Sequence, residues 1–248
     1  MSQVAARSVT GGRDTNEDRV IALPDLVVLA DGMGGHEGGE LAAHAAVAAA
    51  AGALLPPVSA PAVEVAFEEA GAAVHQVRHR HPRLVDAGCT LTVVALRPTV
   101  FTGAAGGLVA HVGDSPAFLV REGQLQLLTP PHTVAAELVR TGRLTEEQSQ
   151  THPGQHTLTR SVGVLGRLGP EVRELELEPG DRILVTSDGI SAGPDRREVR
   201  RLACAPGPVD QVIAELADYL DATSSDNATV ALLDPWAEPD AATVSHDG

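Results

Sequence analysis

The sequence contains no lysine, because all 18 basic residues in its 248 are arginines. Lysine chemistry is therefore excluded, which removes Schiff-base catalysis and the phosphate loop of P-loop nucleotide hydrolases. Aromatic residues are also scarce, at one Trp, one Tyr and three Phe. Few aromatics leave no stacking platform for single-stranded nucleic acid, and a formal net charge of −15 opposes binding to a polyanion. The composition predicts no nucleic-acid partner.

Cysteines and long apolar runs are equally few. Cys89 and Cys204 stand far apart without a CxxC pair, so neither a disulfide scaffold nor a thiolate zinc site is indicated, and a reducing cytoplasm fits. The N-terminal segment lacks the apolar stretch of a secretory signal. The uncharged alanine-rich segment between Glu40 and Glu64 is broken by proline after about 15 helical residues, short of the roughly 20 that cross a bilayer. We expect a soluble, cytoplasmic protein with no membrane partner.

Hydrophobic periodicity predicts a mixed chain of strands and helices. Strands are expected at 4–10, 20–30, 171–178, 181–188 and 227–234, the second of them buried on both faces because it is continuously apolar. Segments 89–96, 99–106, 108–114, 117–122 and 124–129, separated by turn residues, predict a meander of antiparallel hairpins. Helices are expected at 39–55, 62–80, 134–141, 195–203 and 208–221. In the second helix Val63, Phe67, Ala70 and Val74 share one face.

This order of elements predicts an α+β fold with two antiparallel sheets and helix pairs packed outside them. We expect one domain over residues 1–235. Residues 131–168 are polar and weakly periodic, which indicates an excursion from the core. The Pro-, Ala- and Asp-rich tail at 236–248 is expected to be disordered.

Acidic residues stand at the ends of five predicted strands. They are Glu17 with Asp18, then Asp31, Asp114, Asp188 and Asp226. One such aspartate is ordinarily a turn former or a helix cap. Five of them at one rim would repel one another unless they took up protons or bound cations. Oxygen ligands with few His or Cys nearby favour Mg²⁺ or Mn²⁺ over zinc, and a glycine after an aspartate exposes its carbonyl as a further ligand.

Five fragments occur in a fixed order along the chain. They are RDTNED at 13–18, ADGMGGH at 30–36, HVGDS at 111–115, TSDG at 186–189 and DNAT at 226–229. Together they resemble the metal-dependent PP2C-type (PPM) serine/threonine protein phosphatases of bacteria, and the resemblance extends from Arg13 to about Leu233. It implies a four-layer αββα sandwich, a flap at about 131–168, and a Mn²⁺ or Mg²⁺ pair between the sheets, often with a third ion.

The resemblance also implies roles for individual residues. Asp31 matches the carboxylate that bridges both ions and Gly32 a carbonyl ligand. Asp188 and Asp226 match ligands of the first ion, and Asp114 a ligand of the third. The remaining matches are Glu17 and Asp18 as the pair holding metal-bound waters, Arg13 as the arginine that grips the substrate phosphate, Asn227 as the partner of Asp226, and Arg160 as a residue that contacts substrate or braces the flap.

The implied reaction is hydrolysis of phosphoserine and phosphothreonine in proteins by attack of a metal-bridging hydroxide, without a phosphoenzyme. The implied partners are phosphorylated proteins, including a serine/threonine kinase that the enzyme opposes. Two alternatives stay open: a phosphatase dedicated to one regulatory protein, and a catalytically weak adapter that keeps the fold for binding. No apolar stripe is left over, so we expect a monomer.

Three departures from the family pattern are visible. Met33 stands where eukaryotic members have a histidine proposed as the general acid. His36 is either a substitute for it or a solvent-facing loop residue, and a metal-bound water could serve instead. Pro116 replaces an arginine after Gly-Asp-Ser and is expected to alter local packing or substrate contact rather than to abolish metal binding. The segment PPHT at 130–133 replaces a more usual Asp-His-Ser pattern. His132, His152 and His156 are spaced irregularly, and we expect solvated loop histidines rather than a second metal site.

Overall fold

Two antiparallel five-stranded sheets form the centre of the computed structural model, which describes residues 2–54, 58–97, 105–163 and 169–236. In chain order the strands are β1 (Gln3–Val9), β2 (Arg19–Leu23), β3 (Leu26–Ala30), β4 (Gly32–Met33), β5 (Gly88–Cys89), β6 (Leu91–Arg97), β7 (Ala105–Val112), β8 (Ala117–Arg121), β9 (Gln124–Leu127), β10 (Glu171–Leu177), β11 (Arg182–Thr186) and β12 (Ala228–Asp234). The first sheet has the order β10-β7-β6-β3-β2 and the second the order β1-β12-β11-β8-β9, while β4 and β5 form a separate pair.

Helices cover the outer face of each sheet. The helices of the described residues are α1 (His36–Ala53), α2 (Ala60–Arg80), α3 (Val134–Arg140), α4 (Glu146–Ser149), α5 (Arg196–Ala203) and α6 (Val209–Thr223), and a 3₁₀ turn lies at Asp188–Ile190. α1 and α2 pack on the first sheet, and α5 and α6 pack on the second. α3 and α4 lie in the excursion after β9.

Alternation along the strands sorts the apolar side chains into three layers, as period-two geometry requires. In β3, Val28 packs towards α1 and α2, whereas Val27 and Leu29 point into the layer between the sheets. In β11, Leu184 packs towards α5 and α6, whereas Ile183 points into the layer between the sheets. Both strands are completely buried because each sheet is covered on both faces. The fold is therefore the αββα sandwich expected from the sequence.

Most predicted elements occur within one to three residues of their expected bounds. The apolar run at 20–30 is different, because it is a hairpin and not one strand. Pro24 and Asp25 turn the chain, Arg19 pairs with Ala30, and only β3 is fully buried while β2 is partly exposed. Parts of three other expectations lie outside the described residues: positions 99–104 of the strand at 99–106, positions 164–168 of the flap, and the tail from 237. The break expected between the strands at 99–106 and 108–114 is wrong, because Ala105–Val112 is one strand.

The predicted continuous meander is wrong at its middle connection. β6 pairs with β7 and β8 pairs with β9, but β7 belongs to the first sheet and β8 to the second. The Asp114-Ser115-Pro116 segment connects the first sheet to the second. At its end, the Pro116 carbonyl accepts a hydrogen bond from the Thr186 amide of β11 at 2.9 Å. Turn residues signal the end of a strand, but they do not say which sheet the next strand joins.

Helix α1 begins at His36, three residues before its expected start. Gly38 and Gly39 are poor helix formers, so the sequence favours a loop here. Both are buried: a Cβ on Gly39 would lie 1.9 Å from Glu17 Oε2, and one on Gly38 would lie 3.3 Å from the Ala87 side chain. The glycines let the first turn of the helix pack closely against these neighbours. Within the described residues, no helix has both the length and the apolar character needed to cross a bilayer.

Candidate metal centre

The register of the β2–β3 hairpin brings two of the predicted acidic residues together. Arg19 pairs with Ala30, so the next position outward on each strand is Asp18 and Asp31. Side chains two positions apart on a strand lie on the same face. Asp18 therefore shares the face of Val20, and Asp31 that of Leu29, and both of these side chains point into the layer between the sheets. The end of the first sheet therefore presents two carboxylates to the end of the second.

Asp18 is the most deeply buried member of the group, at 1% exposure. The Ser187 hydroxyl, from the end of β11, donates to Asp18 Oδ2 at 2.7 Å and so joins the two sheets. Asp18 Oδ1 is buried without a hydrogen-bond partner among the described residues. Burial raises the pKa of Asp18 to about 6, the charges of Asp188 and Asp226 add to the rise, and the Ser187 hydrogen bond opposes it.

Asp31 sits between β3 and β4, in backbone contact with Thr90. The Asp31 amide donates to Thr90 Oγ1 at 3.0 Å, and the Thr90 amide donates to the Asp31 carbonyl at 2.9 Å. Burial raises the pKa of the Asp31 carboxyl well above its usual range, and the neighbouring charges of Asp18, Asp188, Asp114 and Asp226 raise it further. A carboxylate with four acidic neighbours is at the centre of the group.

Gly32 allows the chain to pass closely beside this carboxylate. A Cβ at Gly32 would lie 2.3 Å from the Gly39 carbonyl oxygen and 2.7 Å from the Glu17 carbonyl oxygen. Both obstacles are backbone atoms, which cannot rotate away. Glycine at position 32 is therefore required by packing, independently of whether its carbonyl binds an ion.

Asp114 and Asp188 come from different sheets and share a neighbour that the sequence did not predict. His156, on the excursion, places Nδ1 3.7 Å from Asp188 Oδ2. One ligand atom from each of Asp114, His156 and Asp188 lies within 4.8 Å of the others. Burial and the charge of Asp188 raise the pKa of Asp114 to about 7. The adjacent Asp188 carboxylate, with the charges of Asp114 and Asp226, raises the pKa of His156.

Asp226 precedes β12 and forms an ion pair with Arg13, the arginine predicted to bind phosphate. Arg13 Nη2 lies 2.7 Å from Asp226 Oδ2, and the Arg13 side chain is 54% exposed. The Asp226 hydrogen bond, followed by its charge and those of Glu17 and Asp188, raises the pKa of Arg13. Arg13 thus lies at the solvent edge of the acidic group.

Asn227 fixes the loop that carries Arg13 and Glu17. Its side-chain Nδ2 donates to the carbonyls of Thr10 at 3.0 Å and Thr15 at 2.8 Å. Its Oδ1 accepts from the Glu17 amide at 3.0 Å. The sequence identified Asn227 only as the neighbour of Asp226, whereas the structure shows it tying residues 10–17 to the second sheet.

The expectation of solvated histidines is wrong for His132, whereas His156 is exposed as expected, with 55% of its side chain accessible. His132 is 4% exposed and stacks on His111 with ring centroids 4.4 Å apart. The Gly113 amide donates to His132 Nδ1 at 3.1 Å, and Arg160 Nη1 lies 3.3 Å from Nε2. Burial, with the nearby ring and guanidinium, lowers the pKa of His132 to about 4. Arg160 therefore braces the base of the excursion beside the turn that carries Asp114.

The donor set fits hard divalent cations. Asp18, Asp31, Asp114, Asp188 and Asp226 come from five separate segments. Burial and the neighbouring carboxylates raise the pKa of Asp18, Asp31 and Asp114, as expected for carboxylates without a nearby cation. The buried, unpartnered Asp18 Oδ1 is an oxygen that lacks only a cation or a proton. Carboxylates in this arrangement suit Mn²⁺ or Mg²⁺. An αββα sandwich with such a centre between the ends of its sheets is the arrangement expected of a metal-dependent hydrolase.

Comparison with known proteins gives the family. The model of the protein phosphatase 2C family matches residues 15–234. The chain therefore belongs to that family, and the family inferred from the sequence is confirmed.

Individual relatives agree with this assignment. The chain is 34% identical over 239 residues to the serine/threonine protein phosphatase PstP of Mycobacterium tuberculosis, covering 93% of this chain but 44% of that protein. Among solved structures, the PPM Ser-Thr phosphatase MsPP of Mycobacterium smegmatis in complex with cacodylate has a TM-score of 0.83 at 32% identity, covering 94% of this chain and 97% of that one. The catalytic domain of PstP in complex with two manganese ions has a TM-score of 0.80 at 30% identity, covering 94% of this chain and 97% of that one.

Proposed function

We propose that this chain hydrolyses phosphoserine and phosphothreonine in proteins, using Mn²⁺ or Mg²⁺ held by the carboxylate centre. The enzyme class follows from the family: the chain is a metal-dependent serine/threonine protein phosphatase. The observation that carries the proposal is the meeting of Asp18 and Asp31 from one sheet with Asp188 and Asp226 from the other. The raised pKa values of Asp18 and Asp31 support a centre built to be neutralised by cations.

Within this centre we assign Asp31, with four acidic neighbours, to both ions. Asp188 and Asp226 are assigned to the first ion, the Gly32 carbonyl to the second and Asp114 to a third. Glu17 and Asp18 complete the set beside them. Ions bound here would lower the pKa of coordinated water and neutralise the phosphoryl oxygens.

Arg13 is suited to hold the substrate phosphate at the open edge of this centre. Its guanidinium has five N–H donors in a planar fork, so it can keep its contact with Asp226 and still donate to a phosphoryl oxygen. The exposure of the side chain supports this role, because an incoming phosphopeptide can reach it. Asn227 holds the Arg13 loop in place and is a positioning residue.

We propose further that the protein acts in the cytoplasm as a monomer on substrates of a serine/threonine kinase. Both cysteines are free, Cys89 buried and Cys204 partly so, as expected in a reducing compartment. Exposed large apolar residues occur on separate elements, at Leu23, Val65, Val85 and Leu127. This distribution supports a surface without a large apolar interface.

The direct test is release of phosphate from a phosphothreonine peptide by the purified protein. We expect hydrolysis that requires Mn²⁺ or Mg²⁺, stops with a chelator and is lost in Asp31→Ala and Asp226→Ala. A phosphotyrosine peptide serves as the control substrate and should be hydrolysed far more slowly. Release no faster than in buffer at saturating Mn²⁺ would overturn the proposal and leave an adapter. Wild-type rates in either variant would overturn the ligand assignment.

A further inference from the structure

The excursion after β9 contributes a nitrogen atom to the acidic group. His156 lies with Asp114 and Asp188 so that one ligand atom from each is within 4.8 Å of the other two. Asp114 follows β7 in the first sheet, Asp188 follows β11 in the second, and His156 comes from neither. Three separate parts of the fold thus place a nitrogen and two carboxylate oxygens around one point.

The backbone around His156 is fixed, so this placement does not depend on a loosely held loop. The Val134 amide, at the start of α3, donates to the Thr157 carbonyl at 2.9 Å, and the Ala135 amide donates to the Gly154 carbonyl at 3.1 Å. The Gly154 amide donates to His152 Nδ1 at 3.0 Å. Residues on both sides of His156 are therefore attached to α3 or to their own turn.

The two ring nitrogens of His156 have different neighbours. Nδ1 faces the Asp188 carboxylate at 3.7 Å. Nε2 lies 2.8 Å from the side-chain nitrogen, Nε2, of Gln155. The oxygen and nitrogen of a glutamine amide exchange places by a simple rotation, so Gln155 can accept a hydrogen bond from Nε2–H. A histidine whose outer N–H is held in this way presents the lone pair of its other nitrogen to a metal.

We propose that His156 is a ligand, through Nδ1, of a divalent ion that is also held by Asp114 and Asp188, so that the excursion forms part of the metal centre. The inference rests on the proposed metal-dependent function and adds a residue to it. A second observation points to a cation in the same acidic group: Asp18 Oδ1 is buried and unpartnered among the described residues. A point shared by two carboxylates and an imidazole nitrogen is a suitable environment for a cation, which on binding would displace the proton that the carboxylates favour on His156.

Two consequences follow from a nitrogen ligand at this ion. Imidazole favours Mn²⁺ over Mg²⁺, which prefers an all-oxygen shell and retains its waters. The His156 site should therefore discriminate between the two ions more strongly than the carboxylate sites. Occupancy should also hold the excursion to the sheets, because Asp114 and Asp188 belong to the sheets and His156 does not.

The test is pulsed electron paramagnetic resonance of Mn²⁺ bound to the whole protein, together with calorimetric titration of Mn²⁺. We expect the wild-type protein to show nitrogen-14 modulation from a directly bound imidazole, and His156→Asn to lose it. The weakest Mn²⁺ site should lose about tenfold or more in affinity, while the tighter sites are unchanged. His79→Asn, on the exposed end of α2, is the matched control and should behave as wild type.

A second measurement uses trypsin cleavage after the exposed Arg140 and Arg143 of the excursion. We expect Mn²⁺ to slow this cleavage in the wild-type protein, to slow it less in His156→Asn, and Mg²⁺ to protect less than Mn²⁺. Two bound Mn²⁺ ions and active hydrolysis without any nitrogen modulation would overturn this inference and leave the proposed function intact. Failure of the wild-type protein to bind Mn²⁺ at all would instead overturn the proposed function.

Discussion

Asn227 holds Glu17 across the molecule: the Asn227 side-chain oxygen accepts a hydrogen bond from the Glu17 amide at 3.0 Å, although the two residues are 210 positions apart. The same side chain donates to the carbonyls of Thr10 and Thr15. One amide therefore fixes both ends of the loop that carries Arg13. Arg13, proposed to bind phosphate, and the acidic pair owe their place to a residue outside the proposed set of metal ligands.

Asn227→Ala tests this tether. The change removes three hydrogen bonds from a buried side chain, each worth about 1 kcal/mol, so we expect a loss of roughly 2–3 kcal/mol in the free energy of unfolding by urea. We also expect a higher KM for a phosphopeptide, because the Arg13 loop is released. Gln211→Ala, which removes an exposed contact with Glu215 on α6, is the control and should cost under about 0.5 kcal/mol. Equal effects in the two variants would argue against the tether.

Gly32→Ala and Gly52→Ala form a matched pair. A Cβ at Gly32 would meet the Gly39 and Glu17 carbonyls, whereas at Gly52, inside α1, it would meet nothing within 4 Å. We expect Gly32→Ala to lose about 1–3 kcal/mol of stability and most of its Mn²⁺ binding, because the backbone beside Asp31 must move. Gly52→Ala should be more stable by about 0.5–1 kcal/mol, since alanine favours a helix. Thermal unfolding and Mn²⁺ titration measure both, and a tolerated alanine at Gly32 would contradict the packing argument.

Asp114 should make the metal-free protein more stable as the pH falls. Its folded pKa of about 7 lies above the ordinary value near 3.8, so between these values the folded state binds more protons than the unfolded state. Stability therefore falls as the pH rises through 7. In chelator, we expect Asp114→Asn to exceed the wild-type stability at pH 8, with the difference shrinking by pH 5.5. Asp218→Asn, at an exposed position, is the control. A stability difference between Asp114→Asn and the wild type that grows as the pH falls would contradict the prediction.

His132 should affect the pH dependence of stability in the opposite direction, making the protein less stable as the pH falls. Its folded pKa of about 4 lies below the ordinary value of 6.5, so its contribution is present above pH 6.5 and is lost as the pH falls towards 4. His132→Asn should have a flatter stability profile between these values and should lose about 1–3 kcal/mol at pH 8, because the Gly113 amide loses its acceptor. Urea unfolding at several pH values measures both effects. A variant profile parallel to that of the wild type would remove His132 as the titrating group.

Local patterns explain why much of this fold could be predicted. The nearly continuous apolar runs of β11 and β12 are visible in the sequence, and they indicate strands of sheets covered on both faces. The side on which Asp31 lies follows from alternation along β3, because Asp31 is two residues beyond Leu29, which points into the layer between the sheets. The hairpin that sets Asp18 opposite Asp31 was missed, since Pro24 and Asp25 stand inside an otherwise apolar run.

The features that could not be predicted depend on contacts between distant segments. Nothing near His156 in the sequence shows that α3 holds its turn against Asp188. The buried stack of His111 and His132 joins β7 to the start of the excursion, and polar loop residues around His132 conceal that burial. The same holds for the crossing at Ser115, where a turn motif marks a change of sheet.

The most direct test of the account is the anomalous diffraction of a crystal soaked in Mn²⁺. The account predicts at least two manganese peaks within the group formed by Asp31, Asp188 and Asp226, with Asp18 beside them. A fully soaked crystal in which these side chains lie as described, with no manganese between them, would contradict it.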